Sequence, residues 1–261
     1  MRLVSFNNIS NVRDLGGIPL CDGRMVKPGL IYRGGALNAA DDADIEKFTK
    51  GLSIARIIDL RVGYERVAKP DREFEGVENL YIPFYDNDVV GREYFKPIPG
   101  TIVIGNDFAC DPNDFYADMP NELTAAQMAK VLNAVFESAC ADMPVYYHCS
   151  GGKDRVGITT LLILEILGAS EDAILEDYLL TNVSREAKIE GTYQRFLRLC
   201  QGDEEFARKV TKDHAALPEN LTAFRASVDR RYGSMDVFVR SVLSFDERRI
   251  CDLRQALTVE A

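Results

Sequence analysis

Cys149 and Arg155 stand six residues apart in the run His148-Cys149-Ser150-Gly151-Gly152-Lys153-Asp154-Arg155. A thiolate and a guanidinium at that spacing can act on one anion. The thiolate attacks, and the planar arginine fork holds two phosphoryl oxygens as charge builds on them. The apolar run Pro144-Val145-Tyr146-Tyr147 before the loop reads as a strand. Val156 to Leu167, apolar nearly all round, reads as a buried helix after it. A loop between a strand and a helix N-terminus turns backbone N–H groups and the positive end of the helix towards an anion. Gly151 and Gly152 permit the backbone angles of such a cradle. The same surroundings favour the thiolate form of Cys149. The expected cycle has two steps: attack on phosphorus gives a phosphocysteine, and water then hydrolyses it. Neither step needs a metal or a cofactor. Phosphate binding is assigned to Ser150, Gly151, Gly152, Lys153, Asp154 and Arg155. The bland alternative is a buried cysteine at a strand-to-helix turn with two solvated bases. It leaves unexplained why two bases and an acid crowd the N-terminus of a buried helix.

The leaving oxygen needs a proton from a nearby acid. Asp86, at the mouth of a long irregular stretch, is the first choice, against an Asx-turn role in Tyr85-Asp86-Asn87-Asp88. Asp154 is the second; Lys153 and Arg155 beside it favour its ionised form and weaken it as an acid. Asp88 is the third. His148 is expected to orient the loop, because adjacent strand residues point to opposite faces.

The elements that must position these groups follow from pattern. Leu30 to Arg33, Ile54 to Leu60 and Leu80 to Phe84 read as strands, the second β-branched and buried. Asp41 to Lys50 reads as a short helix with an acidic first turn, and Leu123 to Ala139 as a longer one. Ser170 is placed as the cap of a helix running through Thr181, with Asp172 at the capping-box position. Further helices follow, with breaks near Gly202, Pro218 and Gly233. Residues 85–121 are aperiodic, with prolines and interleaved aromatics; such a stretch reads as a lid, with Phe108, Phe115 and Tyr116 as residues that would close it. Arg13 and Arg33 are assigned to ion pairs with Asp14 and Asp59, and Arg61 to the pocket rim. The whole is an α/β fold, one domain over 1–261, mostly helical from 170 to 261.

Bulk properties narrow the partners. The 261 residues, 46% hydrophobic, suffice for one substantial core. A net charge of −10 argues against sequence-independent binding to nucleic acid or anionic membrane, so a bound anion must be captured by a local positive site. No apolar run approaches a membrane span, and the first residues lack a signal-peptide pattern. The six cysteines are scattered without a CxxC pair, which fits reduced thiols in the cytoplasm. The two histidines, His148 and His214, lack zinc-ligand spacing. Oligomeric state is not readable from the sequence.

The run from His148 to Gly157 resembles the signature loop of the cysteine-dependent tyrosine phosphatases. It is most similar to the bacterial branch whose loop carries Gly-Lys-Asp-Arg, the atypical tyrosine/serine and phosphoinositide phosphatases. Asn11-Val12-Arg13-Asp14-Leu15-Gly16-Gly17, Lys27 to Arg33, Ile58-Asp59-Leu60-Arg61, Asp177-Tyr178-Leu179 and Tyr232-Gly233-Ser234 are similar to that branch in order and approximate spacing. The resemblance implies a tyrosine-phosphatase sheet flanked by helices, Cys149 as nucleophile and Arg155 as phosphate binder. It also implies that Lys153 and Asp154 set specificity, that a lid covers the site, and that Asp86 matches the position of the family's acid. The substrate it implies is a phosphorylated protein or a small phosphoester. One departure stands out: Val156 replaces the family's Thr or Ser, whose hydroxyl assists the departing thiolate. Phosphocysteine breakdown is therefore expected to be slow, unless Ser150, Thr159 or Thr160 substitutes. Two other uses of such a loop are a phosphate-recognition module without turnover, and sulfur transfer or arsenate reduction.

Overall fold

The computed structural model describes residues 3–85, 112–212 and 214–261. Among these residues seven strands form two sheets: β1 (Arg13–Asp14), β2 (Arg24–Val26), β3 (Ile31–Gly34), β4 (Arg56–Asp59), β5 (Glu78–Tyr81), β6 (Val145–His148) and β7 (Thr258–Glu260). The main sheet has the order β1-β3-β6-β4-β5, and β2 pairs with β7 apart from it. Strands β3, β6, β4 and β5 run parallel, while β1 lies antiparallel on the β3 edge. Gly34 and Asp59 both sit opposite His148, so three strands end level with one another. The loop of interest leaves the sheet there, at the carboxyl ends of the parallel strands, where open α/β sheets place their ligands.

Alternation sends strand residues into two cores. Ile31, Ile58, Val145 and Tyr147 join the larger one with the long helices, and Tyr32, Ile57 and Tyr146 join a smaller one with Phe48 and Phe74. Burial on both faces explains why β6 reads Val-Tyr-Tyr-His rather than alternating with polar residues.

The helices are α1 (Asp42–Glu46), running into a π turn over Lys47–Gly51, α2 (Gly63–Ala68), α3 (Pro112–Asp118), α4 (Glu122–Cys140) and α5 (Asp154–Leu167). They continue with α6 (Glu171–Ser184), α7 (Glu186–Leu199), α8 (Glu204–Lys212), α9 (Pro218–Tyr232), α10 (Met235–Val237) with a second π turn, and α11 (Glu247–Leu257). Helix α5 buries eleven of its 14 residues, as its all-round apolar pattern requires. It stops at Gly168, whose φ of 93° closes the last turn in the left-handed region.

Three local expectations shift. The strand expected to reach Phe84 pairs as strand only over Glu78–Tyr81, opposite Arg56–Asp59, although the Ile82 and Phe84 amides beyond it still donate to the Asp59 and Leu60 carbonyls at 3.1 and 3.2 Å. Ser170 does cap α6, accepting from the Ala173 amide, but the capping-box position is Ala173 and Asp172 lies one residue before it. The helix expected from Asp41 to Lys50 is α1 plus the π turn. Of the lid assigned to 85–121, residues 86–111 lie outside the described residues, and so do Asp86, Asp88 and Phe108. No helix among the described residues is long and apolar enough to cross a membrane.

Candidate active site

The loop that follows β6 is held from outside by its carbonyl groups. The Cys149 carbonyl meets His148 Nδ1 at 3.3 Å, and the Ser150 carbonyl accepts from the Ala36 amide at 3.3 Å. Asn11 Nδ2 donates to the Gly151 and Gly152 carbonyls at 3.3 and 2.8 Å. Arg33 Nη2 also donates to Gly152, at 2.8 Å, and the Lys153 carbonyl accepts from the Gly157 amide. Across a planar trans peptide the N–H points opposite to the C=O. Five successive carbonyls directed outward therefore turn the following amides inward, onto one centre beside the N-terminus of α5. Cys149 lies buried in that ring. Gly152 makes the bend with φ 64°, and a Cβ there would fall 2.5 Å from the Gly34 carbonyl carbon. Only glycine fits.

The residues that hold the ring are themselves anchored. Asp177, fully buried on α6, takes Arg13 Nε at 3.1 Å on one oxygen and Arg33 Nη1 at 2.8 Å on the other. Asn11, held in the left-handed region at φ 62°, accepts Arg13 Nη1 through its own Oδ1 at 2.5 Å. Arg13 and Arg33 thus pair with Asp177 and not with Asp14 or Asp59. Asp14 instead accepts the Gly16 and Gly29 amides, and Asp59 takes Arg61. Burial, with Arg33 beside it, lowers Arg13 to about 10 despite Asp177.

Arg155 is aimed by a partner that the sequence pattern does not announce. Glu65, on α2, binds Arg155 Nη1 through Oε2 and Nη2 through Oε1, the latter at 2.8 Å. Its Oε1 also accepts Ser150 Oγ at 2.5 Å, and its Oε2 accepts the Val62 amide at 3.1 Å. Burial opposes a charge on Glu65, but the Arg155 hydrogen bonds and charge prevail and lower it to about 2. Burial likewise works against the charged form of Arg155, yet Glu65 and the nearby Cys149 raise it. A guanidinium has five N–H donors. Glu65 takes one from each Nη, and a second Nη1 hydrogen points to the Leu60 carbonyl at 3.5 Å. Nε–H and one Nη2–H remain, on the same edge of the fork, and that edge suits two phosphoryl oxygens.

The opposite flank carries Lys153 and Asp154. Lys153 Nζ lies 3.3 Å from Asp154 Oδ1 and donates to the Ala215 carbonyl at 3.2 Å. Asp154 Oδ1 also accepts the Tyr116 hydroxyl at 2.5 Å, and that hydroxyl meets Tyr178 at 2.7 Å. Burial would raise the Asp154 carboxyl, but Lys153 and the Tyr116 hydrogen bond outweigh it and lower it. Of the aromatics expected in the lid, Tyr116 therefore reaches the loop directly, and Phe115 packs on Tyr85 with ring centroids 5.9 Å apart.

His148 stacks on Tyr146, its centroid 5.8 Å away, and faces Asp71 at 3.4 Å and Asp59 at 3.9 Å through Nε2. Burial lowers its pKa, with the two carboxylates opposing. Asp59, Asp71 and His148 could together offer ligand atoms to an ion. Arg61 already sits among them, donating to both Asp59 oxygens and to Asp71, so the carboxylates have their cation. Arg61 is an anchor behind the loop and not part of the pocket rim.

The hydroxyls expected to replace the one missing at Val156 are committed elsewhere. Thr159 donates to the Arg155 carbonyl, Thr160 to the Val156 carbonyl and Ser150 to Glu65. Glu65, Asp177, Asn11 and Asp71 were not among the expected site residues. The available signal for Glu65 is slight, an acid in the first turn of a short helix after Arg61.

A family model described as the tyrosine phosphatase family matches residues 4–259. The triple specificity protein phosphatase PtpB of Mycobacterium tuberculosis is 30% identical over 247 residues, covering 82% of this chain and 86% of its own length. A Cupriavidus necator protein described as a candidate tyrosine-protein phosphatase is 26% identical over 243 residues, covering 93% of this chain and 85% of its own. Among solved structures, the core catalytic domain of the PP-IP phosphatase SIW14 from S. cerevisiae aligns with a TM-score of 0.38 at 14% identity, over 68% of this chain and 78% of that one. With the match to the family model running nearly end to end, the chain belongs to the tyrosine phosphatase family.

Proposed function

We propose that this phosphatase hydrolyses phosphomonoesters through a phosphocysteine on Cys149, within a single phosphatase domain. The observation that carries the reading is the set of five outward-held carbonyls from Cys149 to Lys153, which turns the loop amides onto one centre above a buried thiol. In the first step Cys149 Sγ forms a bond to phosphorus as the ester P–O bond breaks, and the leaving oxygen takes a proton. In the second, water adds its oxygen to phosphorus, the S–P bond breaks, and inorganic phosphate leaves with the thiolate restored. Inward amides and the free edge of Arg155 hold the equatorial oxygens in both steps. Asp86 supplies the proton in this reading. Asp154 is less suited, since Lys153 and Tyr116 favour its ionised form.

Phosphotyrosine and phosphoserine in proteins are the assigned substrates, with phosphoinositides as a further class. Lys153 supports the wider range by adding a cation beside the loop, and the relative PtpB is named for triple specificity. The cytoplasm is the assigned compartment, because a nucleophilic thiol stays reduced there. Phosphate release from 4-nitrophenyl phosphate and from phosphotyrosine and phosphoserine peptides tests the reading. Cys149→Ser abolishes release and Arg155→Lys reduces it by two or more orders of magnitude, about 3 kcal/mol of transition-state binding. Turnover that survives Cys149→Ser refutes it.

A further inference from the structure

Of the cations that flank the loop, Arg33 pairs with Asp177, Arg155 with Glu65 and Lys153 with Asp154. Another is Arg185, at the junction of α6 and α7. It is only 7% exposed. Its guanidinium lies along Gly151, where an added Cβ would meet Nη1 at 3.1 Å, Cζ at 3.3 Å and Nη2 at 3.4 Å. Its Nε is buried without a partner. Among the described residues the guanidinium makes neither a hydrogen bond nor an ion pair.

The Asp154 carboxylate feels the Arg185 charge but makes no contact pair with it, and a buried guanidinium without a hydrogen-bonded acceptor is costly, so fold stability alone would not favour it. A ligand anion would remove that cost. The planar fork suits phosphate, whose oxygens match two parallel N–H donors. The place is also specific. Gly151 is two residues from Cys149, at most about 7 Å along the chain. The Arg185 guanidinium thus stands against the loop that would hold the reacting phosphoryl group, where a second phosphate of the same small molecule could meet it. A chain with net charge −10 would repel such a substrate unless local cations were arranged for it.

We propose that Arg185 anchors a second anion subsite, which takes a second phosphate of the same substrate molecule, a compact polyol bisphosphate. The proposal rests on the reading of the Cys149 loop as the hydrolytic site, and it names the group that selects among phosphoesters there. The shared chemistry is the bisphosphate head, whether free in solution or borne by a lipid.

The test compares kcat/KM for 4-nitrophenyl phosphate, a soluble inositol bisphosphate with phosphates on adjacent carbons, and a short-chain phosphoinositide with the same head. It uses the full chain, Arg185→Gln and Arg185→Lys. The bisphosphate-to-aryl ratio is expected to fall at least tenfold in Arg185→Gln, through KM, and to recover in part in Arg185→Lys. A ratio that stays within twofold, no turnover of the soluble bisphosphate, or a loss confined to the lipid overturns the subsite. If Arg185→Gln does not fold, protection of Cys149 from iodoacetamide in the unaltered protein decides. Inositol bisphosphate should protect at a concentration at least tenfold below that of inorganic phosphate, and equal concentrations overturn the proposal. Aryl phosphate turnover that persists in Cys149→Ser refutes the hydrolytic reading itself, an outcome separate from all of these.

Discussion

Replacing Glu65 by glutamine isolates the aiming of Arg155 from its presence. Each Glu65 oxygen serves two donors: Oε1 takes Ser150 Oγ and Arg155 Nη2, and Oε2 takes the Val62 amide and Arg155 Nη1. An amide has one oxygen, so whichever way it turns, two of the four donors lose their acceptor. At roughly 1 kcal/mol for each bond of this kind, the loss is about 2 kcal/mol. The acidity of Glu65 bounds it independently. A carboxyl lowered from 4.5 to about 2 favours its charged form by about 3 kcal/mol. Arg155 would remain but would no longer present its Nε edge in one orientation. The cost falls on kcat, ten- to a hundredfold, or about 1.4 to 2.7 kcal/mol. KM should not rise, since a carboxylate that repels the phosphate has gone. Urea unfolding and steady-state kinetics on 4-nitrophenyl phosphate measure both numbers. The pH dependence gives a further check. Glu65 has a depressed folded pKa, so its contribution is complete above about 4.5 and is lost as pH falls towards 2. The wild type should lose more stability than Glu65→Gln across that window. A variant with unchanged unfolding midpoint and kcat within threefold of wild type would refute the aiming role.

Val156 leaves phosphocysteine breakdown without a hydroxyl, so rapid-quench kinetics should show a burst of nitrophenol near one equivalent, and Val156→Thr should raise the steady-state rate on the order of tenfold. Asp86→Asn should cost about 100-fold on phosphotyrosine and much less on an aryl ester with a good leaving group, whereas equal losses on both would remove Asp86 as the acid. Asp177→Asn strips the shared counter-ion from two buried arginines; denaturation should show a loss of about 3 to 5 kcal/mol, and phosphate affinity should fall with it.

The chemistry-bearing loop was legible because it is local: one strand, two glycines and an apolar helix declare it within about 25 residues. What escaped was long-range. Asp177 lies over 140 residues from Arg33 and over 160 from Arg13, and no periodicity links them. Reading by proximity paired these arginines with Asp14 and Asp59, yet Asp14 turns one oxygen to the Gly16 amide of its own turn and the other to the Gly29 amide. Glu65 and Arg185 were hidden for a similar reason, since an acid in a first turn and an arginine between two helices have ordinary solvated roles in most sequences. The β5 boundary differs only by degree, since Ile82 and Phe84 beyond it still donate to Asp59 and Leu60.

The ring of outward-held carbonyls is fastened by Asn11, Arg33, Ala36 and His148, and two of those fasteners depend in turn on Asp177. A ribosome therefore delivers Cys149 and Arg155 well before it delivers the residue that locks the loop around them. A partly synthesised or clipped chain would carry the reactive pair without the cradle, and so would be inert towards phosphoesters. Catalytic competence in this protein is a certificate of complete assembly, issued only when the amino-terminal strands and α6 have met.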